Sequence, residues 1–392
     1  MPTPYQLRIT AAASATLTMG VMPVFLVGAL SGDIGDDMGF GSAGAGLAIT
    51  IFFASGALTA VIMGGVTERI GATSAMRLGV TMSAVVLLAL GTVADAWWHL
   101  AALLAVGGSA IGLIDTGGAR SFSDAIRAER HGTAFGAKEA SVPAASMLAG
   151  LSIPLLVERS GWSSAFLVGA AMAALVLFVV PPQLRGGRPP AAAAASDQPD
   201  NRGGLVLFAV GVAAGSAASS AAATLFVPAV TDDGTWSAGA AGTLLAVASV
   251  VSVIARIVLG WLSDKAPSAT WLMLTGSLAL GAVGAVMLII GELAILVAAG
   301  AILVLGAGWG WSGLAFLSAV RARPHAPAVA AGIVLTGLAT GGAGGPALFG
   351  IIADRWSYSL AWTACAAALV IASLLAIATR ESYRPREVDI ER

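Results

Sequence analysis

The sequence predicts an all-α membrane protein in which twelve transmembrane helices form two pseudo-symmetric six-helix bundles. Three observations carry this expectation. Of 392 residues, 57% are hydrophobic and only 10% charged, against about 25% charged in a soluble domain. A globule so poor in charge could not cover itself in water, whereas the outside of a membrane protein faces hydrocarbon. The apolar residues fall in twelve long runs, and several places in the first half recur in the second at one constant offset.

A spanning helix needs about 20 mostly apolar residues. Such runs occupy residues 10–30, 43–65, 74–94, 98–120, 133–156 and 162–181. After a break, six more occupy 205–230, 238–261, 270–290, 293–318, 328–352 and 358–379. The break is polar and rich in Pro, Gly and Ala, which reads as a flexible linker. The expected organisation is an N-terminal six-helix bundle (1–182), a cytoplasmic linker (183–204), a C-terminal bundle (205–379) and a cytoplasmic tail (380–392). Arg8 ahead of the first run could imitate a secretory signal. Similar runs follow along the whole chain, so the first is read as a transmembrane helix. The 50 glycines suit helices that approach one another closely.

Charge placement tests the count of spans, because cytoplasmic loops should hold the Lys and Arg. With the N-terminus inside, the inside segments hold Arg8, Arg69, Arg77, Arg127, Arg130, Arg185, Lys265, Arg321, Arg323 and further arginines of the linker and tail. The outside loops hold only Arg159 and Arg355, together with acids such as Asp33, Asp36, Asp37, Asp95, Glu158 and Asp354. A missed or extra helix would scramble this bias from that point onward. Both termini are therefore expected in the cytoplasm, with the protein multi-pass in the cell membrane.

The repeat appears at an offset of 196: Gly64 falls on Gly260, Arg127 on Arg323, Gly136 on Gly332, Glu158-Arg159 on Asp354-Arg355, and Phe166 on Trp362. Parallel repeats about an axis normal to the membrane are one known transporter plan. Between the second and third spans, GGVTERIGATSAMR resembles the major facilitator signature Gly-x-Leu-Ala-Asp-Arg-x-Gly-Arg-Lys. Gly64, Glu68, Arg69 and Gly71 fit its glycines, acid and base. Val66 and Glu68 depart from its Leu and Asp, and Ala72 and Thr73 stand where the basic pair belongs. The second half keeps Gly260, Asp264 and Lys265 of the same pattern. With twelve spans, the central linker and both loop motifs, the whole chain resembles the major facilitator superfamily. The resemblance implies the major facilitator fold and a conformational latch at these loop residues. Physically, a carboxylate at a helix end can accept hydrogen bonds from a neighbouring helix N-terminus and pair with a base. Solvated loop charge is the alternative reading. Gly341, Gly342, Gly344, Gly345 and Pro346 mark an eleventh helix that packs closely and bends.

An ionisable residue within a span is expensive and is by default a functional hypothesis. Five are candidates: Asp115 and Arg120 in the fourth span, Lys138 and Glu139 in the fifth, and Arg256 in the eighth. Arg256-Ile-Val-Leu-Gly260 resembles the eighth span of monocarboxylate and oxalate transporters, where the resemblance implies contact with a substrate carboxylate. Guanidinium offers a planar fork to a carboxylate or similar oxyanion. Pairing with a carboxylate across the cytoplasmic gate remains the other reading. The segment around Lys138 resembles the fifth span of the cyanate and nitroimidazole branch, which implies a second anion contact; snorkelling to the surface is the alternative. Glu139 lies about 100° round the helix from Lys138. It is therefore expected to face elsewhere and to pair with Arg120 or Arg127. Asp115 is the first candidate to carry a coupling proton, since desolvation favours an uncharged carboxyl, with Glu139 the second. A structural partnership with Arg256 or Lys138 is its alternative role. Phe25, Phe52, Phe226, Trp309 and Trp311 sit in spans that line the cavity in the family and are candidate substrate contacts, against plain packing. Trp97, Trp98 and Trp236 lie at span edges, as interfacial belt residues do.

The sequence also speaks against several functions. A net charge of −1 gives no case for nucleic-acid binding. A single cysteine, Cys365, and three scattered histidines give no metal site, and no phosphate-binding Gly-x-x-x-x-Gly-Lys-Ser/Thr loop occurs. No span offers a nucleophile with a base beside it, so no enzyme and no cofactor are expected. The expectation is a monomeric secondary active transporter of a small organic or inorganic anion, coupled to protons or a counter-solute. The alternative is a proton-coupled exporter of hydrophobic drugs.

Overall fold

The computed structural model describes residues 4–123, 131–180, 202–232, 234–291, 293–322 and 327–382. Most of the expected linker and tail, and Asp124, Arg127, Arg130 and Arg323, lie outside the described residues, as does the side chain of Arg120.

The first half contains spans at Pro4–Ala29, Ser42–Ile70, Ala72–Thr92 and Trp97–Ser123. Its fifth span is built from His131–Glu139, Ser141–Ser152 and a wide turn at Ile153–Val157, and its sixth is Ser163–Val179. The second half has Arg202–Thr231, Ala238–Lys265, Thr270–Ile289, a tenth span in pieces from Ala294 to Ala322, Pro327–Arg355 and Tyr358–Ser382. Among the described residues, eleven helical stretches are long and apolar enough to cross a membrane. The sixth span, at 17 residues, is shorter and lies at the low end of the spanning range.

Large apolar side chains face outward: Leu58 is 80% exposed, Phe178 84% and Ile295 74%. In water such a surface would aggregate; in lipid it is the expected exterior. The interior is filled by small residues and aromatics, with Phe52, Phe166 and Phe226 fully buried. Tight turns are made by glycines at positive φ, among them Gly39 (74°), which ends the short outer helix Ser31–Met38, and Gly71 (86°) between the second and third spans.

The two halves meet where the fifth span packs on the eighth and tenth, the second on the eleventh, and the first on the seventh. On the seam of the fifth and eighth spans the approach requires glycine. A Cβ on Gly136 would strike the main-chain carbonyl of Arg256, and one on Gly260 the carbonyl of Gly132. The face bearing Glu68 and Asp264 is called inner below, after the charge bias.

The outer ends are pinned by carboxylates. Asp354, at the end of the eleventh span, accepts hydrogen bonds from the main-chain N–H of Ser42 (3.0 Å) and Ala43 (2.8 Å) at the start of the second. The Ser42 hydroxyl also meets Tyr358. Glu158, 196 residues before Asp354, lies against Gly239 at the start of the eighth span. The repeat seen in the sequence is therefore a repeat of contacts. The eleventh helix is one continuous run through Pro346. Its glycines serve close packing: Cβ atoms on Gly341 and Gly345 would meet the seventh span, and Pro346 lies against Gly46.

On the outer helix, partial burial and the neighbouring Asp36 and Asp37 raise the Asp33 carboxyl above the ordinary carboxylate range. A raised carboxyl favours the folded state below its unfolded pKa, and that contribution is lost as pH rises through the folded value. Asp33→Asn should therefore raise the melting temperature slightly at neutral pH and not below the carboxylate range. Calorimetry of the detergent-solubilised protein at the two pH values checks this.

Candidate functional site

The site begins with a proline. Pro143 in the fifth span has no N–H, so the carbonyl of Glu139, four residues earlier, loses its helical partner. The helix is divided there, between Glu139 and Ser141. The freed carbonyl is taken by Arg256 of the eighth span, whose Nη1 donates to it at 2.8 Å. The same Nη1 lies 3.5 Å from Glu139 Oε2 and donates to the Ser312 hydroxyl at 2.8 Å. Ser312 in turn donates to Glu139 Oε2 at 3.0 Å.

Ser312 is delivered by a break in the tenth span. The run Ala307-Gly-Trp-Gly-Trp-Ser-Gly interrupts the apolar helix with a wide turn (Ile302–Gly306), a tight one (Ala307–Trp309), and a fresh helix from Ser312. Discontinuous helices at mid-depth are how transporters bring polar groups to a binding site. Gly306, Gly308 and Gly310 weaken the helix within this apolar stretch, where it passes the seam.

On the other side of the fifth span, Lys138 Nζ pairs with Asp115 Oδ1 at 2.7 Å and lies 3.9 Å from Glu139 Oε1. Glu139 was expected to face away from Lys138, and instead lies within 3.9 Å of it and meets Arg256; the expected partners, the Arg120 side chain and Arg127, lie outside the described residues. The two side chains do diverge, yet the long lysine stem folds back, and the four charges form one cluster wrapped around the fifth span. Two bases and two acids balance within it. Arg256 is 2% exposed, while the Glu139, Lys138 and Asp115 side chains are 11, 16 and 27% exposed. The guanidinium carbon stands 5.0 Å from the centre of the Trp309 ring, whose other neighbour is Phe25 of the first span at 6.0 Å. Arg256 Nε is buried with no hydrogen-bond partner among the described residues.

Of the other aromatic candidates, Phe52 packs edge-on to Phe53 and against Gly107 and Gly108 inside the first half. Phe226 is enclosed beside the kink at Leu225. Trp311 donates to Ser219 Oγ at 3.1 Å and covers Gly215, inside the second half. Trp309 stands over Arg256, with Phe25 beside it.

At the inner end of the same seam, Asp264 caps the start of the fifth span. Its Oδ1 accepts from Gly132 N–H (2.9 Å), and its Oδ2 from Thr133 N–H (2.9 Å) and hydroxyl (2.7 Å). The base beside it is Arg321 from the tenth span at 3.9 Å, with Lys265 exposed. Gly260 makes the crossing possible. In the first half, Gly64 lies near Thr116, Gly71 makes the turn, and Glu68 and Arg69 are exposed. Ser312, Thr133 and Arg321 were missed from the sequence; Ser312 alone left a signal, as a small polar residue ending a glycine-tryptophan break. Asp264→Asn keeps one acceptor and loses the charge, at a cost of about 1.5–3 kcal/mol. Amide exchange at Gly132 and Thr133 should accelerate by an order of magnitude or more; unchanged exchange would remove the latch from consideration.

Residues 8–209 and 207–392 match the profile described as the Major Facilitator Superfamily. Among solved structures, the chain is similar to a bacterial homologue of the human lysosomal transporter Spinster in an inward-facing, unoccupied conformation. That match has a TM-score of 0.74 and 13% identity and covers 99% of this chain and 100% of the other. The same homologue in its occupied inward-facing conformation gives 0.71 and 14%, over 99% and 100%. A mutant of the nucleoside transporter NupG gives 0.69 and 13%, over 96% and 99%. At these identities the likeness concerns the fold. No curated protein sequence matches the chain. Two packed helical bundles, broken and glycine-notched spans at their seam, and a family match over both halves lead to one conclusion: this chain belongs to the major facilitator superfamily of membrane transporters.

Proposed function

We propose that the protein is a secondary active transporter that moves a small organic or inorganic anion by alternating access, coupled to protons or by exchange. The observation that carries this reading is Arg256: a guanidinium buried at the seam, held through Nη1, with its Nε N–H unpartnered among the described residues. An unsatisfied buried donor is costly. A small oxyanion reaching that edge would remove the cost and gain a charge-assisted hydrogen bond. Lys138 supports the site from the fifth span, Phe25 and Trp309 wall it, and Asp115 and Glu139 are the groups able to carry a proton. Asp264 and its partners, with the Gly64 to Gly71 loop as counterpart, act as the latch between conformations. The bundles at 1–182 and 205–379 rock against each other, and residues 183–204 connect them.

The proposed setting is the cell membrane, with a monomer whose termini are both cytoplasmic. Cysteines placed at Asp36 and Arg185 should react with impermeant reagent from opposite sides of a vesicle, and reaction from one side would reject this topology. A second reading, a proton-coupled exporter of hydrophobic compounds, is favoured by the Phe25–Trp309 pair beside a carboxylate. A thermal-shift screen over small carboxylates, inorganic oxyanions and hydrophobic cations separates the two. Stabilisation by anions supports the first reading, and stabilisation by the cations alone the second.

A further inference from the structure

We infer that Asp354 is an outer latch opposed to the inner one at Asp264: the two carboxylates hold opposite faces of the protein shut, on different seams, and together they set which face opens. This extends the inner latch proposed above and does not depend on the solute carried. Both acids belong to the second bundle, and both grip the first. Each lies at the end of a span, against the first turn of an antiparallel neighbour, where helical N–H groups have no partner of their own. Asp264, at the inner end of the eighth span, takes the N–H groups of Gly132 and Thr133 and the Thr133 hydroxyl. Asp354, at the outer end of the eleventh, takes the N–H groups of Ser42 at 3.0 Å and Ala43 at 2.8 Å. The helix dipole adds to these charge-assisted bonds. The arrangement is diagonal. The seam of the fifth and eighth spans is locked at its inner end, and that of the second and eleventh at its outer end.

The outer hold continues down the seam below Asp354. Tyr358, at the start of the twelfth span, meets the Ser42 hydroxyl. One turn in, a Cβ on Gly350 would strike the Ser42 carbonyl. Next, a Cβ on Gly46 would strike the carbonyl of Pro346, and beyond it the Thr50 hydroxyl donates to the carbonyl of Ala343. Ser42, Gly46 and Thr50 are four apart, so they share one face of the second span. That face lies directly on the eleventh span over its outer turns, and outward opening must separate every one of these contacts. On the other seam, Glu158 against Gly239 adds to the closure of the outer face. Rocking two bundles about their middle parts one end while it presses the other together. Both latches are made in this structure. Removing Asp354 therefore lowers the cost of opening outward and leaves the Asp264 contacts whole; removing Asp264 does the reverse. A change shifts such an equilibrium only by the difference it makes between the two states, so the two variants must act in opposite directions. Asp354 is exposed, and water competes for it, which limits its effect to a few-fold.

The test measures distances by pulsed electron paramagnetic resonance in the full-length protein in lipid nanodiscs. Spin labels are attached to introduced cysteines in a Cys365→Ala background. Labels at Val93 and Leu293 report the outer ends of the two bundles, and labels at Val179 and Ser268 the inner ends; all four positions are exposed. Asp354→Ala should raise the population of the longer outer distance by about three- to tenfold and leave the inner distances as they are. Asp264→Ala should raise the longer inner distance and leave the outer ones. Gly46→Ala alters no charge but drives the Pro346 carbonyl away, and should shift the outer pair in the same direction as Asp354→Ala. An outer pair unmoved in both Asp354→Ala and Gly46→Ala, in protein that melts cooperatively, overturns the inference. So does an Asp354→Ala variant that lengthens both faces together. If Asp354→Ala opens the outer face while Asp264→Ala leaves the inner pair unmoved, the opposition falls and the inner latch with it. No solute enters the measurement, so the anion reading stands or fails separately.

Discussion

Replacing Arg256 with glutamine is expected to reduce anion transport by roughly one and a half to three and a half orders of magnitude, and replacing it with lysine by at least about tenfold. Truncating one partner of a buried, hydrogen-bonded charge pair costs about 2–5 kcal/mol, and 1.4 kcal/mol is about a factor of ten. Glutamine leaves the Glu139 carboxylate without its cation. Lysine restores the charge as a point and abolishes the planar fork. A lysine amine can reach one of Glu139 and Ser312, but has no equivalent of the Nε edge, and no flat face to lie over Trp309 at 5.0 Å. Uptake into proteoliposomes, normalised to inserted protein, measures both variants. Equal activity in Arg256→Gln would sink the anion reading. If the protein exports hydrophobic compounds instead, Arg256→Lys should matter little.

Gly136→Ala is expected to be nearly as damaging, although it adds one methyl group. The new Cβ would fall on the carbonyl of Arg256, and main chain cannot swing away as a side chain can. The fifth and eighth spans must part locally. That movement loosens the Arg256–Glu139 contacts immediately beside it and the Asp264 cap one turn further in. Overpacking of this kind costs about 1–3 kcal/mol. The melting temperature should fall by several degrees, and transport by an order of magnitude or more. Gly276 is the control: it also lies within a helix, but an added Cβ meets nothing within 4 Å among the described residues. Gly276→Ala should be neutral or slightly stabilising, since alanine is the better helix former by about 0.5–1 kcal/mol. Equal behaviour of the two variants would show that the seam is not closely packed.

Much of the candidate site was legible in part. The residues that carry charge inside the membrane were visible one by one, because each is costly in its own surroundings whatever lies opposite. Their pairing was not visible. Glu139 was expected to turn to the fourth span; it meets Arg256, 117 positions along the chain. Pro143 announces a freed carbonyl, but not which donor will take it. Trp309 and Trp311 are two positions apart, so an unbroken helix would set them about 200° apart. One of them had to point away from the site. The break in the tenth span decided that Trp309 meets Arg256 and that Trp311 goes to Ser219.

The sequence by itself determined the membrane setting, the spans to within a few residues, and the two-fold repeat. Each of these is a property of local composition or of one offset, and the lipid solvent imposes it on every segment separately. The tertiary structure alone decided how charges cancel across the seam and which main-chain groups meet there. Those contacts depend on how two rigid bundles dock, to within an ångström, at glycines such as Gly136 and Gly260. No single segment carries that information, because the hydrogen bonds that fix it run between residues more than a hundred positions apart.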